Sequence, residues 1–147
     1  MKPNPTSKTW TLGKGLCLAS AVTYGVLPPL IDTFDPHHLL NPTWPPHARM
    51  HLMWLNAAGL YLGIFCLYNF WTATRETFDR LRVGVHVGLL FLAEFFTAGL
   101  FKNAAGAAFD ADGRLLFGVA PPAIVHLSTS TLLLLAGYYL CRKEIAK

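Results

Sequence analysis

Residues 83–101 read VGVHVGLLFLAEFFTAGLF, and this apolar stretch decides the fold. Glu94 is its only acidic residue, and it contains neither Lys nor Arg. About 20 apolar residues in a helix, rising about 1.5 Å each, are enough to cross the hydrocarbon core of a bilayer. The stretch therefore predicts a membrane-spanning helix.

Three further apolar stretches repeat the pattern, near Gly15 to Ile31, His47 to Phe70 and Pro121 to Cys141. Of the 147 residues, 53% are hydrophobic and 14% charged, whereas an ordinary soluble domain has about 25% charged residues. The first stretch follows basic residues, as a signal peptide does, but the later spans require a membrane in any case. We therefore predict one domain, residues 1–147, that is all-α and folds as an antiparallel four-helix integral membrane bundle.

The basic residues predict how this bundle is oriented. Nine Lys and Arg residues fall on the side that holds both termini, and only Arg49, Lys102 and Arg114 fall on the other. Since cytoplasmic loops retain Lys and Arg, we expect both termini in the cytoplasm, with the chain in a bacterial inner (plasma) membrane. This asymmetry also accounts for the net charge of +4, so nucleic acid is not needed as a partner.

Two outer segments connect the predicted spans. The first, Asp32 to Pro46, holds four of the ten prolines and so cannot be a regular helix throughout. The second, Asn103 to Ala120, contains an Asp-Gly pair between apolar residues, which is typical of a small hairpin. We expect the proline-rich segment and this hairpin to cover the outer mouth of the bundle.

Cysteine usage excludes one class of membrane enzyme. Cys17, Cys66 and Cys141 all fall in the cytoplasmic halves of predicted spans, and no C-x-x-C pair occurs. A four-helix thiol oxidoreductase or a mercury carrier would need such paired cysteines. We therefore expect the three residues to act as small buried hydrophobes.

Ionisable residues inside the spans are the main candidates for chemistry. Glu94 is the only carboxylate deep within a span, where an unpaired charge costs about 2.5 to 3.5 kcal/mol or more. Counted from the span midpoints, Glu94, His126 and His51 lie about 3, 7 and 10 Å toward the outside, with His47 near the rim. Three helices are thus predicted to bring ionisable groups to one outer layer.

The two histidines His47 and His51 are four residues apart and share one helical face, a spacing that allows both rings to bind one metal ion. We predict a centre of His47, His51, Glu94 and His126, holding zinc or iron or working by acid-base catalysis alone. The expected outer partners are Asp32, His37 and Arg49. A purely structural role for Glu94, and an interfacial one for His86, are the simpler alternatives.

The sequence WPPHARMH at residues 44–51, preceded by Asn41 and Pro42, resembles a motif of a family of small four-helix membrane proteins from bacteria and fungi. The resemblance rests on these ten residues, the chain length and the four-span layout. It implies family membership and carries no activity with it. In architecture alone the chain is similar to emopamil-binding sterol isomerases, anthrone oxygenases and DoxX-like proteins, whose motifs it does not match.

These features predict a membrane-embedded enzyme that oxidises or isomerises a small lipophilic substrate. Without a Gly-rich phosphate loop or a nucleophile elbow, neither a nucleotide cofactor nor hydrolysis is expected. A second hypothesis is electron transfer through a b-type haem held by His51 and His126. A third is a proton-coupled transporter or a structural membrane subunit. A homo-oligomer is compatible with each of them.

Overall fold

The computed structural model describes residues 7–109 and 113–146, and in these ranges the chain is helical without any β-strand. Four helices are long and apolar enough to cross a membrane, the first of them with an interruption. The helices are α1 (Lys8–Gly25), α2 (Leu27–Phe34), α3 (Pro46–Thr72), α4 (Phe78–Phe101) and α5 (Pro122–Ile145).

The break between α1 and α2 lies at Val26, inside the first apolar stretch. Pro28 and Pro29 follow directly and have no N–H groups to donate to the carbonyls of the preceding turn. The N–H of Val26 still bonds to the carbonyl of Val22, so the chain bends while remaining helical on both sides. Together α1 and α2 form one candidate span, Lys8–Phe34.

Prolines also set the starts of the later helices. Pro46 and Pro122 each open a helix directly after another proline, at positions where a missing N–H does not disturb the hydrogen-bond ladder. Helix α3 ends at Thr72, and the five residues 73–77 connect it to α4. The observed helices overlap all four predicted spans and extend beyond most of their ends.

The most extensive helix contacts join α1 to α3 and α5, and α4 to the same two helices, while α1 and α4 meet more narrowly at Tyr24. Glycines allow the closest approaches. A Cβ atom on Gly25 would lie 2.5 Å from the Cα atom of Gly63, and one on Gly137 would lie 2.6 Å from the carbonyl oxygen of Gly13. The backbones of α1 and α3, and of α1 and α5, therefore touch directly.

The buried core runs along the contacts of α1 with its neighbours and continues between α3 and α4. The three cysteines are free, fully buried and hydrogen-bonded to backbone carbonyls, as expected of small buried side chains. The largest fully buried side chains are Tyr24, Phe70, Leu81, Leu92 and Leu134.

Polar contacts tie three segments together where α1 begins and α5 ends. The Arg75 guanidinium bonds to the Glu144 carboxylate at 2.6 Å, and the Ser7 hydroxyl donates to the same oxygen at 2.7 Å. The Lys14 ammonium donates to the carbonyls of Trp71 at 2.7 Å and Ala73 at 3.1 Å. We call this group of contacts the basal network.

The predicted outer hairpin falls partly on residues 110–112, which lie outside the described residues. A tight reversal does occur a few residues later, where Phe117 and Gly118 both have positive φ angles, 54° and 69°. The N–H of Leu116 donates to the carbonyl of Ala120 at 2.8 Å, and the two residues form an isolated bridge. Residues 36–40 of the proline-rich segment form turns.

Candidate functional site

His47 and His51 lie one turn apart at the start of α3, and both side chains are exposed. Their Nε2 atoms are 3.0 Å apart, and the rings are almost perpendicular, with centroids 4.5 Å apart. Between two neutral rings, one Nε2 donates the hydrogen bond and the other accepts it. The predicted spacing thus places two imidazole nitrogens side by side on the protein surface.

The surroundings of this histidine pair are aromatic on one side and polar on the other. The Trp54 ring, 69% exposed, has its centroid 6.3 Å from that of His51. Arg49 turns away from the pair, because its Nη2 atom donates to the carbonyl of Asn41 at 2.7 Å. The arginine therefore fastens the start of α3 to the proline-rich segment, and Trp54 offers the pair an apolar wall.

His126 lies in the first turns of α5 and points to α1. Its Nε2 atom is 2.7 Å from the carbonyl oxygen of Thr23, so this nitrogen carries the proton and donates. The hydroxyls of Thr23 and Ser130 are 2.8 Å apart, and the Ser20 hydroxyl donates to the carbonyl of Ser130 at 2.7 Å. His126 is thus part of a polar contact between α1 and α5.

Glu94 lies on α4 with an exposed side chain. Within residues 7–109 and 113–146 it makes no hydrogen bond or ion pair. The core face of α4 consists instead of buried residues such as Gly84, Gly88 and Leu92. The one deep carboxyl group therefore points away from the helices of its own chain.

Two of the expected outer partners, Asp32 and His37, belong to a separate cluster at the end of α2, whereas Arg49 lies outside it. His38 lies between two carboxylates, with Nδ1 3.5 Å from Asp35 and Nε2 3.8 Å from Asp32. Asp35 accepts bonds from the backbone N–H of His37 at 2.7 Å and from its ring Nδ1 at 3.0 Å. The backbone bond from His37 is the largest cause that lowers the pKa of the Asp35 carboxyl below its usual 3.8.

Helix contacts show how far apart the predicted site residues lie. Phe91 packs on Gly59, so Glu94 lies about 7 Å deeper than His51, counted along the two helices. Gly25 packs on Gly63, twelve residues along α3 from His51. The partner of His126, Thr23, belongs to the turn before Gly25, so His126 lies deeper than His51. The structure pairs the two α3 histidines, and neither Glu94 nor His126 bonds to this pair.

This arrangement bears on the metal and haem hypotheses. The described ranges contain no group of three or more His, Cys, Asp or Glu side chains placed to hold a metal ion. In the haem hypothesis the ligands are His51 and His126, whose Nε2 atoms bond here to His47 and to Thr23. Haem binding stays a prediction, and a Soret band in the purified protein is its test.

One partner of the predicted site residues was missed by reasoning from the sequence, namely the carbonyl of Thr23, which accepts the bond from His126. The signal for it is the Pro28-Pro29 pair, which interrupts the helix close by. No protein-family model, curated protein or solved structure matches the chain.

Proposed function

We propose that the chain is a membrane-embedded enzyme that uses a metal ion held by His47 and His51 to oxidise or isomerise a small lipophilic substrate. The observation that supports this proposal is the 3.0 Å separation of the two Nε2 atoms. Two nitrogens about 2.05 Å from one metal ion are about 2.9 Å apart at a right angle and about 3.3 Å apart at the tetrahedral angle. The separation matches two ligands of one metal ion, and the rings must turn so that both Nε2 lone pairs point to the metal instead of sharing a proton.

Two protein ligands leave coordination positions open for water or a substrate oxygen. Both rings are exposed near the outer end of α3, beside the indole of Trp54, so a lipophilic molecule can reach them from the bilayer. A bound metal would polarise a substrate oxygen and thereby acidify a neighbouring C–H bond. An isomerisation would also need a base, such as a water molecule, to carry the proton from one carbon to another, and an oxidation would need an electron acceptor such as dioxygen.

Glu94 and His126 take indirect parts in this proposal. His126 joins α5 to α1 through Thr23 and thereby supports the helix arrangement. Glu94 lies about 7 Å deeper than His51 and points away from its own chain, so we do not place it among the metal ligands. The two histidines of α3 carry the proposal alone.

The orientation belongs to the same proposal: an antiparallel bundle in a bacterial inner membrane, with both termini in the cytoplasm. Arg75 and Lys14 of the basal network lie at the same end of the molecule as Arg142 and Lys143. Retention of Lys and Arg on the cytoplasmic side supports this orientation. A reporter active only in the cytoplasm should work when fused after Ala146 and fail when inserted after Gly106.

Metal binding by the purified protein tests the proposal. Titration with Co²⁺ should produce the visible bands of imidazole-bound cobalt at one ion per chain, and elemental analysis should find one retained metal ion. The variants His47→Ala and His51→Ala should lose both signals. His86→Ala is the matched control, because His86 is also exposed on a spanning helix but bonds to the carbonyl of Arg82.

The control should bind cobalt like the unaltered protein. A folded, unaltered protein that binds no cobalt would overturn the proposal. So would variants of His47 and His51 that bind cobalt as well as the control does. Circular dichroism of each variant separates loss of the site from loss of the fold.

A further inference from the structure

Glu94 lies four to five residues beyond the midpoint of α4, about 7 Å from the middle of the helix. Its side chain is exposed, and no residue of the described chain bonds to it. An unpaired ionisable group at such a depth in a membrane is costly and tends to find a polar partner. The partner of Glu94 must therefore come from outside the described chain.

Thr97 lies on the same side of α4, one turn from Glu94, and is also exposed. Hydroxyls elsewhere in the spans bond to the carbonyl four residues back, as Thr72 and Thr131 do. The hydroxyl of Thr97 makes no hydrogen bond within residues 7–109 and 113–146. One exposed face of α4 thus carries two polar groups without partners.

The shape of this face allows another helix to approach closely. Ala93 and Thr97 are small residues four positions apart, the spacing that recurs where membrane helices pack against each other. Leu90, 70% exposed, lies one turn inward on the same side. The glycines of α4 already serve contacts inside the chain, Gly84 with Phe70 and Gly88 with Tyr24. Ala93 and Thr97, by contrast, are exposed and are not covered by another helix of the chain.

We propose that the face of α4 formed by Leu90, Ala93, Glu94 and Thr97 is the interface with a second copy of this chain. A two-fold axis along the membrane normal brings identical residues of two copies to the same depth. A protonated carboxyl group has both a donor and an acceptor, so two Glu94 side chains satisfy each other. A different protein would need its own matching polar group at that depth.

Cross-linking in native membranes tests the geometry. Ala93→Cys should form disulfide-linked dimers under mild oxidation, because the α4 helices cross near this residue. The three native cysteines are fully buried and should give little background. Leu132→Cys is the matched control, since it is 67% exposed near the middle of α5 and lies outside the proposed interface. It should remain monomeric.

Substitutions of Glu94 test the chemistry. Glu94→Leu should weaken self-association about tenfold, whereas Glu94→Gln should retain it, because an amide also both donates and accepts. Energy transfer between labelled copies in lipid vesicles measures the difference. An unaltered protein that is monomeric in vesicles, or a Glu94→Leu variant that associates normally, would overturn the proposal. Cross-linking of Ala93→Cys only to another protein would overturn it too. None of these readouts depends on metal binding at His47 and His51.

Discussion

Polar residues of the basal network differ in burial and in bonding partners from three polar residues in the outer half of the molecule. Arg75 and Glu144 retain only 11% and 5% of their side-chain exposure and bond to each other and to neighbouring segments. His47, His51 and Glu94 are exposed, and none of them contacts a distant part of the described chain. Polar groups at one end hold the helices together, whereas these three side chains are available to molecules outside the chain.

The largest effect should come from breaking the buried ion pair of the basal network. Arg75→Ala removes the guanidinium that lies 2.6 Å from the buried Glu144 carboxylate, and we expect a loss of about 3 kcal/mol in the free energy of unfolding. Arg82→Ala is the control, because Arg82 pairs with Asp79 at an exposed site and should change stability by about 0.5 kcal/mol or less. Thermal unfolding in detergent compares the two, and equal losses would contradict the distinction.

The next largest loss of stability should come from disturbing the close contact between α1 and α3. Gly63→Ala places a methyl group 2.7 Å from the Cα atom of Gly25, where only backbone is present to yield, and we expect a loss of about 2 kcal/mol. Gly15→Ala, on α1, meets no atom within 4 Å and should be neutral or stabilising by up to about 1 kcal/mol. Unfolding of both variants in urea, or by titration with a denaturing detergent, measures the difference between their free energies of unfolding.

A smaller loss of stability should distinguish a substitution of His126 from a substitution in the exposed histidine pair. His126→Phe removes the bond to the Thr23 carbonyl and should lower stability by about 1 kcal/mol. His51→Phe, at an exposed position, should leave stability within about 0.5 kcal/mol of the unaltered protein. Equal destabilisation by both substitutions would show that His126 supports the helix arrangement no more than His51 does.

The smallest effect should be the pH dependence of the stability of the turn after α2. Because the pKa of Asp35 is lowered in the folded chain, its ionised form stabilises this turn above pH 3.8, and that contribution is lost as the pH falls further. Protection of the His37 amide from hydrogen exchange should fall in the same range. Asp35→Asn should show weaker pH dependence of this protection, and an unchanged profile would contradict the assignment.

The spanning helices could be predicted from composition, because each apolar stretch has only one way to satisfy its backbone in lipid. The closeness of His47 and His51 was also predictable, since both residues lie on one helix and their spacing fixes their geometry. Gly59 and Gly63, four residues apart, have the small-residue spacing of close helix packing, and Gly63 does lie in a close helix contact. These features depend on short-range geometry alone.

The sequence count placed Glu94 about 7 Å deeper than His51, as the helix contacts do, but it did not reveal the contacts of His126. Counting from span midpoints assumes that all midpoints lie at one level. His126 bonds instead to Thr23, in the turn before Gly25, and Gly25 packs on Gly63, past the middle of α3, whereas His51 lies near the start of that helix. The direction of Glu94 was hidden for a related reason, because which face of α4 meets its neighbours depends on contacts between helices.

The pairing of α1 with α5 also affects how the chain is made. Helix α1, which is made before α5, packs along its length on α5, through Gly13 and Ser20 on one side and Ser130 and Gly137 on the other. Until α5 has been synthesised, these polar and small residues of α1 remain uncovered in the membrane. A chain cut short before Pro122 keeps the contacts of α1 with α3 but not those with α5, and it would expose this surface to quality-control proteases.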